Sequence, residues 1–167
     1  MVEAAQTGDL VARAWAAAAT VCDPEIPTLT IEDLGVLRDV RLAGDGVEVT
    51  ITPTYSGCPA MNVITLDVET ALTRAGIAPV QVRLSLSPAW TTDWLTDAGR
   101  ARLLEAGIAP PVASTGRRGL FAAPDVVACP QCASADTEQV SEFGSTACKA
   151  LYRCRTCAEP FDYFKCL

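Results

Sequence analysis

The sequence contains no histidine. That absence removes the Ser-His-Asp triad, the Cys-His dyad, paired-histidine zinc sites and every imidazole ligand. Any transition metal must be held mainly by thiolate or carboxylate. Lysine is scarce too, at Lys149 and Lys165 only, and 13 basic residues face 20 acidic ones for a net charge of −7. An acidic chain is ill suited to a phosphate backbone, whose affinity comes from Lys and Arg releasing counterions. No nucleic-acid partner is expected. Apolar runs are short, nowhere approaching a membrane span, so no membrane partner is expected either. The start, MVEAAQTGDL, lacks a basic region, and the alanines at 16–19 are too few and too weakly apolar for a signal segment. These features predict a cytoplasmic protein whose thiols stay reduced.

The chain has 167 residues, enough for one ordinary domain and a small second one. Half of it is hydrophobic, but 27 residues are alanine, so part of that is helix surface rather than core. Eight cysteines stand at 22, 58, 129, 132, 148, 154, 157 and 166, six of them in the last 39 residues. In a reduced compartment they read as metal-binding or reactive before they read as disulfides.

Periodicity predicts a helix over 8–21, with Thr7 as its cap and Leu10, Ala14 and Ala18 on one face. The run Cys22-Asp23-Pro24-Glu25-Ile26-Pro27 then forces a loop. Alternation predicts strands over 35–42 and 47–52 around Gly44-Asp45-Gly46, and a third over 80–86. Pro59 fits the first helical position, which makes Cys58 the cap of a helix over 59–75 with an apolar stripe of Ile64, Val68 and Leu72. Gly76 and Gly107 suit left-handed positions after two helix ends, the second helix spanning 94–106 with an interruption near Gly99. Residues 116–128 read as a linker. The predicted fold is α+β: a two-layer sheet-and-helix domain over 1–115, then a four-cysteine module over 129–167. Val40, Leu42, Val49, Ile51, Val82 and Leu84 are expected in the first core with the helix stripe. Trp90 and Trp94 either close that core or line a partner surface, with core the more common fate of tryptophan.

Cys129-Pro130-Gln131-Cys132 and Cys154-Arg155-Thr156-Cys157 have the spacing of a tetrahedral zinc ribbon. Each C-x-x-C turn aims two sulfurs at one point, and two turns complete a tetrahedron. A 39-residue module rarely folds without such a staple. Iron fits the same sulfur cage, and paired disulfides are the other alternative. Cys148 and Cys166 stand outside the turns. They are either small buried residues or a second metal site.

Cys58 is the other suggestive thiol. A helix N-terminus favours the thiolate, the form that binds metal, and Thr54 and Ser56 are candidate hydrogen-bond donors to it. The plain alternative is an inert capping residue. Asp23 and Glu25 in the proline loop are either its supporting acids or solvated turn residues, and Cys22 reads as core.

Asp23-Pro24-Glu25-Ile26-Pro27, Leu34-Gly35 and Thr52-Pro53-Thr54-Tyr55-Ser56-Gly57-Cys58-Pro59 resemble the metal–sulfur cluster biosynthesis domain. From about residue 10 onward the chain is similar to the PaaD family of phenylacetate degradation, an accessory component of phenylacetyl-CoA epoxidase. Pro88-Ala89-Trp90-Thr91-Thr92-Asp93-Trp94, Phe143-Gly144-Ser145-Thr146 and Glu159-Pro160-Phe161-Asp162-Tyr163-Phe164-Lys165-Cys166 extend the match. The resemblance implies an accessory, non-catalytic role in maturing an iron or iron–sulfur centre of the oxygenase or reductase subunits. It carries the family cysteine to Cys58 and the acidic loop to Asp23 and Glu25. The implied cofactors are a structural zinc and a transient iron or iron–sulfur cluster. A redox protein with iron in the four-cysteine site is the competing function. A nucleic-acid-binding ribbon is a third, disfavoured by charge. Oligomeric state, a homodimer included, is open.

Overall fold

The computed structural model describes residues 2–112 and 126–165. It divides into two compact units, Met1–Trp90 and Thr91–Leu167.

The first unit opens with α1 (Val2–Ala18). The helix begins before Thr7, which is therefore not its cap. It ends at Ala18, ahead of the predicted 21. Ala14 and Ala18 are fully buried, small enough to let the helix lie close on its neighbours. The sheet comprises β1 (Leu37–Ala43), β2 (Gly46–Ile51) and β3 (Val80–Leu84) in the order β1-β2-β3. The β1–β2 hairpin is antiparallel, whereas β2 and β3 run parallel, joined by α2 (Ala60–Arg74). Val47, Val49 and Ile51 of the central strand and Ile64, Val68 and Leu72 of α2 are all buried in the core. Gly46 is sterically required, because a Cβ there would lie 2.0 Å from the Pro79 carbonyl oxygen. Gly76 takes φ +75°, as its place after α2 predicts.

Two core expectations fail. Leu42 is 41% exposed and Leu84 50%. Both have the right parity, but they lie on the two edge strands, and a three-stranded sheet leaves its margins wet. Val82 is half-buried. Trp90 is buried and donates its indole N–H to the Leu34 carbonyl at 2.8 Å, pinning the Leu34-Gly35 turn. Thr30 and Asp33 cap the same turn reciprocally: Thr30 N–H reaches Asp33 Oδ2 at 3.2 Å, and Asp33 N–H reaches Thr30 Oγ1 at 3.0 Å.

The second unit begins with a 3-10 turn (Thr92–Trp94) and α3 (Asp97–Glu105). The predicted interruption falls at Leu95 and Thr96 instead of Gly99. Thr96 is the cap, accepting from the Gly99 N–H at 2.9 Å. Then come β4 (Ile108–Ala109), β5 (Thr137–Ser141), β6 (Lys149–Cys154) and β7 (Pro160–Phe164) in the order β4-β7-β6-β5. The predicted first domain ran to 115, whereas α3 and β4 group with the second unit, β4 pairing in parallel with β7. Residues 116–125 of the predicted linker lie outside the described residues. Tyr152 stacks on Phe161 at 5.9 Å and meets Tyr163 edge-on at 5.4 Å over a small core that includes Cys129 and Cys154.

Candidate functional site

The four ribbon cysteines converge. Their sulfurs all lie within 4.8 Å of one another, with Cys129 to Cys157 at 3.8 Å and Cys132 to Cys154 at 3.6 Å. A metal–thiolate bond of about 2.3 Å makes the edge of a sulfur tetrahedron about 3.8 Å. The donor set therefore fits one metal ion held by Cys129, Cys132, Cys154 and Cys157.

Two equivalent turns produce this convergence. Cys129 N–H donates to the Ser134 carbonyl at 2.9 Å, and Cys154 N–H donates to the Glu159 carbonyl at 2.9 Å. After each pair the chain turns through a left-handed alanine, Ala133 at φ 59° and Ala158 at φ 63°. The turns are tied by a Ser134–Thr156 hydroxyl contact of 2.7 Å and by Arg155 N–H to the Asp136 carbonyl at 2.9 Å.

Charge is shared unevenly among the sulfurs. The Cys157 N–H, 3.5 Å from Cys154 Sγ, and then the Thr156 N–H pull Cys154 down to about 6. Ser134 N–H favours the Cys132 thiolate, but desolvation and the neighbouring thiols outweigh it and push Cys132 up to about 12. Without a cation only part of the cage ionises. Cys148 is buried, with Thr146 Oγ1 3.0 Å from its sulfur. Among the described residues it joins no metal-ligating group. Cys166 lies outside the described residues.

Cys58 follows the carboxyl end of β2 and precedes α2. The helix starts at Ala60, with Pro59 rather than Cys58 as the flanking cap residue. Pro59 already has helical angles, φ −70° and ψ −21°, so the offset is one residue of boundary. The expected lowering of the thiol pKa is overturned: it is raised. Burial of the half-exposed thiol is the largest cause, and the Glu25 and then Asp23 carboxylates add to it. The Ala60 N–H does favour the thiolate, as a helix N-terminus should, but is outweighed.

The acidic loop thus faces the thiol electrostatically. Asp23 also shapes that loop, its Oδ1 accepting from Glu25 N–H at 2.8 Å and Ile26 N–H at 2.9 Å. The side-chain hydrogen bond to Cys58 comes from Tyr55, not from Thr54 or Ser56; Ser56 is exposed and Thr54 half-buried. Sequence reasoning passed over Tyr55, although it stands three residues before the thiol in a turn closed by Cys58 N–H to the Tyr55 carbonyl at 3.1 Å. Cys22, expected in the core, is exposed. It lines a polar cleft of about 240 Å³ with Thr20, Asp67, Thr70 and Arg74.

Residues 12–84 match the model of the iron-sulfur cluster assembly protein family, and residues 113–165 match the PaaD zinc beta ribbon domain. The chain is 54% identical over 92% of its length to the D component of the 1,2-phenylacetyl-CoA epoxidase of Escherichia coli, spanning 91% of that protein. It is 38% identical to an Fe-S protein maturation auxiliary factor of Porphyromonas gingivalis, over 47% of this chain and 75% of the relative. The fold resembles a domain of unknown function, DUF59, from Bacillus anthracis, with TM-score 0.56 at 24% identity over 60% of this chain and 96% of that one. Among the described residues no helix is long and apolar enough to cross a membrane. An iron-sulfur assembly domain followed by a four-cysteine ribbon, matched over 92% of the chain, places this protein in the PaaD family, with an accessory role of the maturation type.

Proposed function

We propose that the protein assists assembly or maintenance of an iron or iron–sulfur centre in partner subunits of a phenylacetyl-CoA epoxidase, with Cys58 as a transient ligand and a zinc-filled ribbon as a structural module. The carrying observation is the setting of Cys58: a half-buried thiol just before α2, whose burial and whose Glu25 and Asp23 neighbours all act against its ionised form. The field of Glu25 and Asp23 opposes a bare thiolate and for the same reason favours an arriving cation. Binding then expels the thiol proton, and departure of the metal returns it. A single thiol with carboxylate support holds cargo weakly enough to release it. The ribbon is the opposite case, four thiolates closed around one ion, the donor set of a structural zinc.

Cys58→Ser keeps the size of the side chain, so the fold should survive. Cells carrying it should make epoxidase subunits deficient in iron at unchanged abundance of the variant. Full iron content would reduce Cys58 to a structural residue. Zinc should be recovered at one ion per chain in colourless protein; visible thiolate-to-iron absorption would favour a redox role.

A further inference from the structure

The loop over 142–148, between β5 and β6, holds an aromatic side chain in the solvent. Phe143 is 57% exposed, yet its surroundings are built rather than loose. Its N–H donates to Ser141 Oγ at 3.3 Å, and the next residue, Gly144, donates to the Lys149 carbonyl at 2.7 Å. A Cβ at Gly144 would lie 2.8 Å from Asp162 Oδ1 and 3.3 Å from Lys149 Cβ, so a side chain there would require the Asp162 carboxylate to shift. Beneath the loop Lys149, only 6% exposed, pairs with Asp162 at 3.7 Å, and Ser145 Oγ donates to the same carboxylate at 3.4 Å. A buried ion pair of this kind is a costly support that fixes geometry more than it adds stability.

Lys165 completes the feature. Its ammonium lies 4.1 Å from the centre of the Phe143 ring and donates to the Glu142 carbonyl. Both lysines of the chain thus serve this one loop. Val140, on edge strand β5, is a further apolar side chain in the solvent, 56% exposed.

We propose that Phe143, capped by Lys165, is the anchor by which the ribbon docks on another protein of the epoxidase, entering an apolar pocket rimmed by carboxylates. A preorganised aromatic side chain loses little entropy on binding, which is why such residues dominate interface energetics. The ammonium over the ring supplies the charge that an acidic rim would complement, on a protein otherwise strongly acidic. The inference rests on the reading that epoxidase subunits are the partners.

The test titrates full-length protein into the purified remaining subunits of the epoxidase by calorimetry. Phe143→Ala should weaken binding by about tenfold or more, and Phe143→Trp should keep it within about threefold. Lys165→Glu should weaken it and abolish its decline with added salt. Metal content of each variant should match wild type, because neither side chain belongs to the cysteine cage or to the small core beside it. Equal binding by wild type and Phe143→Ala overturns the docking role while leaving the maturation reading intact. No binding by wild type overturns both. A change in self-association on Phe143→Ala assigns the loop to contacts between copies and likewise overturns the proposal.

Discussion

The two sulfur sites use the same side chain in opposite ways. In the ribbon, four thiols lie within 4.8 Å of one another, and backbone N–H groups of the two turns favour the ionised forms of Cys132, Cys154 and Cys157. At the β2–α2 junction a single thiol is half-buried beside carboxylates that disfavour its ionised form. On the proposed reading of Cys58, the difference is one between keeping a metal and passing it on: ligand number and preformed geometry would make the ribbon site permanent, and one ligand opposed by its own surroundings would make the other provisional.

The sharpest way to break that contrast is to remove one sulfur from each side. Cys154→Ser should abolish metal retention and unfold the ribbon, because binding at such sites is worth roughly 10–16 kcal/mol and the module has little core of its own. Loss of the ribbon amide resonances, with those of residues 8–90 undisturbed, is the expected spectrum. Cys58→Ser should leave both sets in place. If Cys154→Ser retains a folded ribbon, the tyrosine cluster of Tyr152, Phe161 and Tyr163 carries the module and the metal is secondary.

The next effect concerns the scaffold that presents Cys58. Leu72 and Ile64 are buried on α2. Leu72→Ala should cost about 2–5 kcal/mol of first-unit stability, read by denaturant unfolding. A value under about 1 kcal/mol would mean that the helix is not held by this face. Metal retention by the ribbon should not follow that loss.

How much of this was legible in sequence divides along the same line. C-x-x-C spacing is local, so the cage could be read from four letters and their separation. The α2 stripe and the left-handed glycines at 76 and 107 were local too. Leu42 and Leu84 were misjudged because alternation gives the face of a strand but not its rank in the sheet. The ionisation of Cys58 was misjudged because the helix terminus is visible in sequence while desolvation and the facing acids are tertiary. The Thr30–Asp33 box was visible as T-x-x-D, a relative of the capping box, and was overlooked. The Lys149–Asp162 pair had no such signal, since 13 positions separate its members on antiparallel strands.

Sharpening the contrast further means changing the charge around Cys58 rather than the sulfur. A carboxylate near a thiol raises its pKa by repelling the thiolate, so neutralising it must lower that pKa and increase the thiolate fraction at about pH 7.5. Glu25→Gln should speed alkylation of Cys58 by iodoacetamide more than Asp23→Asn, following the order of their influence. In both variants the pH profile of the rate should move toward acid. Asp23→Asn carries a second effect, because Asn remains able to accept from the Glu25 and Ile26 N–H groups but without charge. Unchanged rates in both would remove the acids from the site. The same variants should lose cation affinity at Cys58 even as the thiol becomes more reactive, a pairing that plain exposure of the thiol would not produce.

The smallest effect tests how finely the ribbon turns are set. Ala133 and Ala158 each occupy the left-handed region directly after the second cysteine of a turn. An L-residue there costs roughly 1–2 kcal/mol relative to the right-handed alternative, and glycine avoids that cost. Glycine also has more freedom to lose from the unfolded chain, by about 0.4–1 kcal/mol, which offsets part of that relief. Ala133→Gly should therefore raise stability by roughly 0–1.6 kcal/mol, and Ala158→Gly by a similar amount because the turns are equivalent. A competing chelator reads the change as a modest rise in the concentration needed to strip the metal. Opposite signs at the two positions would show that the turns, alike in backbone, do not share the load equally. A large destabilisation at either would mean that the alanine methyl packs against the cage.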